Sequence, residues 1–305
     1  MTLALRRLAL SLAAACTVLP VQQPAGPQTP LRRDLMGALE PGALVGIAVR
    51  DLESGNGVTL NDDRRYPMQS VYKFPLALAV LHRVDRGELA LDQVVHIDRK
   101  ELLPGTWSPL RDAHPDADVD ISLAELLRYV VSQSDNNGCD VLFRLMGGTA
   151  PVERYVHGLG VRDIAIAATE QEMHRDWQVQ YRNWARPSAL VDLLEQFQRR
   201  RIVSEKSQAF LWGLLVETTT GPNRLKGRLP SNVVVAHKTG SSGSNKQGVT
   251  AAVNDIGILV LPDGRHIALA VLVAETRAPD EASERIIANV ARIVVDHALA
   301  GHVLK

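Results

Sequence analysis

The sequence predicts an α+β fold in which one antiparallel sheet is assembled from both ends of the chain, flanked by helices, with a helical insertion from about 67 to 217. Three observations carry this. Strand patterns cluster near residues 44–60, helical patterns fill the middle, and three further strand patterns occupy 232–274. The sheet-bearing portions are therefore expected at 31–66 and 218–305 and the helical portion at 67–217, behind a leader at 1–25.

From Leu44 to Asp51 the residues Val45, Ile47 and Val49 alternate, and Ser54-Gly55-Asn56-Gly57 supplies a turn into a second short strand, GVTL. Residues 70–83 are apolar nearly all round, the mark of a buried helix. Pro75 is tolerated only near a helix start, which places that start close to Ser70. Ser122 and Glu125 form a capping box ahead of Leu123, Leu126, Leu127, Val130 and Val131 at helical spacing. Cys139, Leu142, Phe143 and Met146 make a shorter stripe closed by Gly147-Gly148, so Cys139 reads as a core thiol. Helical patterns recur at 187–200 and 204–217. Strand-like runs follow at 232–238, 249–261 and 266–274, with Pro262-Asp263-Gly264 turning between the last two. The last is apolar in both phases, so both of its faces are expected to be covered. Asp280, Glu281 and Glu284 open a C-terminal helix with Ile286, Ile287, Val290, Ile293 and Val294 on one stripe.

The first segment reads as a secretory signal. Arg6 and Arg7 precede an apolar run over 8–21 that is too short to span a bilayer, and Ala13, Ala14 and Ala15 offer a cleavage site. Cys16 directly after the alanines raises the alternative of a lipidated first residue, but a lipoprotein signal usually has Leu where Ala13 stands. The expected location is a periplasm or the outside of the cell. The 34 basic and 34 acidic side chains balance. Losing the leader removes Arg6 and Arg7 and leaves 32 against 34, a slight acidic excess. Neither balance supplies the basic stripe that nucleic acid or an anionic membrane would need. Two cysteines, at 16 and 139, are too few for a disulfide scaffold or a thiolate zinc site. Asp116, Asp118 and Asp120 imitate the start of a calcium loop, yet Ile121 holds the glycine position and Leu127 the bidentate glutamate position. The nine histidines show no HExxH spacing. No metal and no cofactor are expected, and nothing demands more than a monomer.

Three short motifs carry chemistry. Ser70-Val71-Tyr72-Lys73 places a hydroxyl and an amine on one helical face, where a lysine of lowered pKa would take the proton that makes serine nucleophilic. Ser134-Asp135-Asn136 lies in the break between two helices, offering a hydroxyl to relay a proton and an amide to hold one of the substrate's. Lys238-Thr239-Gly240-Ser241 sits on a strand whose glycine leaves room for close approach of a ligand. Each motif alone has an ordinary structural explanation, as a cap, a loop or a solvated edge. Together, in this order and 61 and 104 residues apart, they resemble the class A β-lactamases and, more widely, the penicillin-recognising serine enzymes.

The resemblance covers essentially the whole chain after the leader. It implies a three-layer α/β/α sandwich with a five-stranded antiparallel sheet plus an all-helical domain, and hydrolysis of a β-lactam ring through a serine acyl-enzyme. It also implies a glutamate that activates the deacylating water, and Glu170 is the residue in the right interval, with Glu172 its rival. The family usually has Glu-x-x-x-Asn there and an Arg–Asp salt bridge across the loop. This chain has His174, Ala168 and Asn183 instead. These departures, with Gln69, resemble the PER-like extended-spectrum branch. By the same resemblance Arg224, Lys238 and Thr239 receive the substrate carboxylate, and Trp107 walls the cleft mouth. Asn136, Gly240 and His174 line the substrate site, and the N–H groups of Ser70 and Ser241 form the oxyanion hole. A peptidoglycan carboxypeptidase or transpeptidase, or a penicillin-binding sensor, shares the three motifs and is the alternative.

Overall fold

The computed structural model describes residues 29–39, 42–116 and 118–305. The leader and Cys16 lie outside them. Helix α1 (Pro30–Gly37) leads into β1 (Leu44–Asp51) and β2 (Gly57–Leu60). The short β3 (Tyr66–Pro67) precedes a 3-10 turn at Gln69–Tyr72 and α2 (Lys73–Asp85). Next come β4 (Val94–Ile97), α3 (Pro109–Ala113), β5 (Val119–Ser122), α4 (Leu123–Ser132), α5 (Asn136–Met146) and α6 (Thr149–Gly158). They are followed by β6 (Ile164–Ala165), α7 (Glu170–Arg175), a 3-10 turn at Trp177–Arg182, β7 (Trp184–Ala185), α8 (Pro187–Gln198) and α9 (Glu205–Val216). Strands β8 (Val234–Ser241), β9 (Thr250–Val260) and β10 (His266–Thr276) and helix α10 (Asp280–Leu299) complete the order.

The five-stranded sheet runs β2-β1-β10-β9-β8, antiparallel throughout. The N-terminal hairpin joins the C-terminal strands through the β1–β10 register, with Ile47 opposite Val271. The two apolar phases of β10 do go to two cores. Ala268, Ala270 and Leu272 face the helices that lie between the two halves of the sheet in sequence, while Ile267, Leu269, Val271 and Val273 face α1 and α10. Helix α8 covers the first face near the hairpin, where Arg50 of β1 bonds Asp192 and Glu195 at 2.6 Å each.

Helix α2 is buried from Lys73 to Leu81, as its uniform apolarity requires. Its start differs from the expectation near Ser70. Residues 69–72 wind as a 3-10 turn and the α-helix begins at Lys73, because the Pro75 ring would crowd the carbonyl four residues back in an α-helical turn. At α4 the Ser122 hydroxyl accepts the Glu125 N–H at 3.1 Å, the forward half of the expected capping box. Cys139 is fully buried, its sulfur 3.6 Å from the Tyr72 hydroxyl, and burial pushes its thiol well above the ordinary range.

Candidate active site

The three motifs meet where the start of α2, the bend between α4 and α5, and the end of β8 converge. Gly240 makes the convergence possible. A Cβ there would lie 2.4 Å from Met68 O and 3.2 Å from Ser70 N, so only glycine lets β8 lie directly against the Ser70 turn. Asn254 of β9 pins the same stretch from behind, donating to Pro67 O at 2.8 Å and Met68 O at 3.1 Å. Two residues at the site hold left-handed backbone that a side chain disfavours, Gln69 at φ +49° and Ser134 at φ +62°. Gln69 Nε2 donates to the side-chain oxygen Oε1 of Gln180, and Gln180 Nε2 in turn donates to Trp177 O at 2.7 Å.

The Ser134 bend serves two lysines at once. Lys73 Nζ donates to Ser134 O at 2.8 Å, and Lys238 Nζ donates to Ser134 Oγ at 2.8 Å. Both lysines are fully buried. Burial, and then the neighbouring charge of Lys73, holds the Lys238 ammonium well below its ordinary range. Lys73 Nζ also donates to Asn136 Oδ1 at 2.5 Å and stands 3.0 Å from Glu170 Oε1. The last contact is an ion pair without hydrogen-bond alignment, and Oε1 has no hydrogen-bond partner among the described residues. The middle residue of the second motif is structural. Asp135 caps α5 through the Gly138 N–H at 2.7 Å and anchors the segment before it through Ser108 Oγ and the Leu110 N–H.

Between the two candidate loop acids the structure separates roles. Glu172 closes a capping box with Thr169, its Oε2 accepting the Thr169 N–H at 2.9 Å, while Glu170 points at Lys73. The departures from the family's loop pattern are compensated by two residues, one of which sequence reasoning missed. Asn183 accepts the N–H groups of Ala167 and Ala168 at 2.8 and 2.9 Å and donates to Ala168 O at 2.8 Å, bridging the loop without a salt bridge. Asp140 accepts the N–H groups of Glu170 and Gln171 at 2.8 Å each. Its position, seven residues after Gln133 on the face of α5 that also carries Asn136, was the signal available.

A cleft of about 440 Å³ opens on Ser70, with Ser134, Asn136, Arg224, Thr239 and Ser241 in its lining and the exposed Trp107 at its edge. Trp107 is held by its indole N–H on Gln133 O at 2.9 Å. A second hollow of about 150 Å³ shares Ser70, Asn136 and Ser241 and runs under α7 to Glu170 and His174. Arg224 is placed differently from a free substrate clamp. It is buried, with Nη2 on Ser241 Oγ at 2.7 Å, Nη1 on Gly240 O and Asn254 O, and Nε 3.2 Å from Glu284. Thr239 Oγ1 lies 2.5 Å from Thr220 Oγ1. The aspartates that imitate a calcium loop are remote from this cleft. Asp118 and Asp120 join His96 and Asp98 on the exposed β4–β5 ribbon, engaged by the Arg99 N–H and by His96 at 2.7 and 2.8 Å.

Comparison with known proteins gives a family and a fold. A family model described as the beta-lactamase enzyme family matches residues 31–298. The chain is 44% identical over 259 residues to the beta-lactamase VEB-1 of Pseudomonas aeruginosa, covering 84% of this chain and 86% of that one. It is 44% identical over 267 residues to the extended-spectrum beta-lactamase PER-1 of the same organism, covering 87% and 86%. Among solved structures, a beta-lactamase from Chitinophaga pinensis superposes with a TM-score of 0.84 at 51% identity, covering 88% of this chain and 97% of that one. The TLA-3 extended-spectrum beta-lactamase superposes at 0.87 with 46% identity, covering 88% and 98%.

Proposed function

This chain belongs to the class A β-lactamase family, and from that premise we propose how its residues divide the work of opening the lactam ring of penicillins and cephalosporins. The observation that carries the assignment is the buried Lys73 ammonium between Ser134, Asn136 and Glu170, with Glu170 Oε1 left free to take a proton. Ser70 Oγ attacks the lactam carbonyl, and its proton leaves toward the Lys73–Glu170 pair. The developing oxyanion sits between the N–H groups of Ser70 and Ser241, each donor worth about 3–4 kcal/mol in the transition state. As the ring C–N bond breaks, Ser134 gives its proton to the nitrogen while Lys238 steadies its oxygen, and the proton that left Ser70 passes from the Lys73–Glu170 pair back to Ser134, so that Glu170 is again a carboxylate. Glu170 then takes a proton from a water that attacks the acyl carbonyl. Ser70 departs with a proton and the ring-opened product leaves.

Thr239, Ser241 and the charge of Arg224 receive the substrate carboxylate, Arg224 acting largely through the Ser241 hydroxyl it holds. Trp107 walls the cleft, and the hollow toward His174 takes the acyl side chain. No cofactor enters any step. The leader at 1–25 supports an enzyme that works in a periplasm or outside the cell. Two variants test the assignment. Ser70→Ala should abolish hydrolysis of a chromogenic cephalosporin. Glu170→Gln should accumulate a penicilloyl adduct by mass spectrometry while the parent enzyme turns over. An Glu170→Gln protein that turns over at the parent rate would sink the role given to Glu170.

A further inference from the structure

Polar groups inside an apolar sheet cost stability unless partners hold them, and β8 and β9 bury one pair that none of the hydrolytic steps uses. His237 and Asp255 are both fully buried on the sheet face that looks toward α10. His237 Nδ1 lies 2.9 Å from each carboxylate oxygen of Asp255, and Asp255 Oδ2 also accepts the backbone N–H of Leu225 at 3.1 Å. His237 Nε2 is buried with no hydrogen-bond partner among the described residues. A ring carrying its proton on Nδ1 suits this arrangement, since an unpartnered acceptor costs less than an unpartnered donor. The sheet makes room for the ring with Gly257 directly across from His237, where an added Cβ would come within 2.8 Å of His237 Cβ.

The pair holds a segment that has no regular structure of its own. Residues 221–227 fold on two turn bonds, Arg224 N–H to Gly221 O at 3.0 Å and Gly227 N–H to Arg224 O at 2.8 Å. Two neighbouring residues of this segment then grip two neighbouring residues of β9. Leu225 gives its N–H to Asp255, and Arg224 gives Nη1 to Asn254 O at 3.0 Å. The other end of the guanidinium reaches Ser241 Oγ. The charged groups around the pair are Arg224 and Lys226 from the same segment, Glu284 of α10 against Arg224, and Lys238 on the opposite face of β8.

We propose that His237 and Asp255 are positioning residues for the carboxylate end of the cleft, fixing Leu225 and through it the reach of Arg224 to Ser241. Neither touches substrate. The proposal rests on the reading that Arg224 and Ser241 receive the substrate carboxylate.

The test compares kcat/KM for a chromogenic cephalosporin as its free acid and as its methyl ester. The ratio reports the carboxylate end alone, because a general loss of folded or active enzyme lowers both values equally. Arg224→Ala should lower the acid-to-ester ratio at least tenfold. Asp255→Asn should lower it at least fivefold, since it removes the charge that holds the His237 and Leu225 N–H groups and replaces one of the two acceptor oxygens with an NH2 donor. The double variant should match Arg224→Ala. His237→Asn, which returns an N–H donor near the Nδ1 position, should stay within twofold of the parent, whereas His237→Ala should fall as Asp255→Asn does. If Asp255→Asn fails to fold, the two His237 variants carry the same comparison. A ratio lost in Arg224→Ala but unchanged in Asp255→Asn and His237→Ala overturns the positioning pair and leaves the carboxylate reading standing. A ratio unchanged in Arg224→Ala overturns the carboxylate reading, and the pair's role with it. Equal losses on acid and ester in the Asp255 and His237 variants show general support of the fold and overturn positioning.

Discussion

Asp140 sets its two carboxylate oxygens on the N–H groups of Glu170 and Gln171, and this makes a partly buried acid the foundation of the loop that carries Glu170. Burial, and then the charge of Glu170, push its carboxyl up from an ordinary 3.8 to about 7. The direction fixes the pH dependence. An acid with a raised folded-state pKa holds its proton longer when folded, so between about pH 4 and pH 7 the folded chain binds more protons than the unfolded one. Stability contributed at this position is therefore fully present at low pH and is lost as pH rises toward 7. Asp140→Asn removes the titration. The unfolding free energy of the parent minus that of the variant should fall by up to about 4 kcal/mol from pH 4 to pH 7 and level off above pH 8. Chemical denaturation at five or six pH values measures it, and a difference that is flat or rises with pH would show that Asp140 stays ionised.

Residues 166–183 carry Glu170, to which the proposed mechanism gives deacylation, and short-range bonds hold them. Asn183 contributes three of them, to two N–H groups and one carbonyl. Asn183→Ala would leave these groups buried without partners, at a cost of about 2–4 kcal/mol. Because Ser70 and Lys238 stand on α2's approach and β8, the damage should fall on the step that uses Glu170. Pre-steady-state kinetics should show deacylation slowed at least tenfold with acylation changed less than threefold, and equal slowing of both would count against the loop's separate role. The sequence made the meeting of Ser70, Lys73, Ser134 and Lys238 legible because the chemistry proposed for them fixes their spacing. It made β10 legible because both of its phases are apolar. Asn254, Asp255 and Asp140 were harder to read, since each is a polar residue inside an element whose own pattern does not show what approaches it from elsewhere. The polar Asn254-Asp255 step within the apolar run 249–261 was the visible sign. The start of α2 was misplaced for a local reason, the crowding by Pro75.

At the scale of the whole molecule, the sheet is a shared wall. Its two faces belong to two apolar clusters, one with the helices between α2 and α9 and one with α1 and α10, and each long strand contributes alternate residues to both. A cavity opened in one cluster therefore loosens strands that the other cluster needs, which argues for cooperative loss of the two. Leu127→Ala in α4 and Ile287→Ala in α10 each delete a fully buried side chain and should cost about 2–5 kcal/mol. In both variants thermal unfolding followed by far-ultraviolet circular dichroism, by tryptophan fluorescence and by residual hydrolysis should give coincident midpoints, lowered together. The active site is the strictest reporter, because Ser70 and Lys73 stand in the helical cluster's elements while Lys238 and Ser241 stand on β8. Activity lost well below the structural midpoint in Ile287→Ala alone would mean that the α10 side yields first, and that the wall transmits less than its alternating pattern implies.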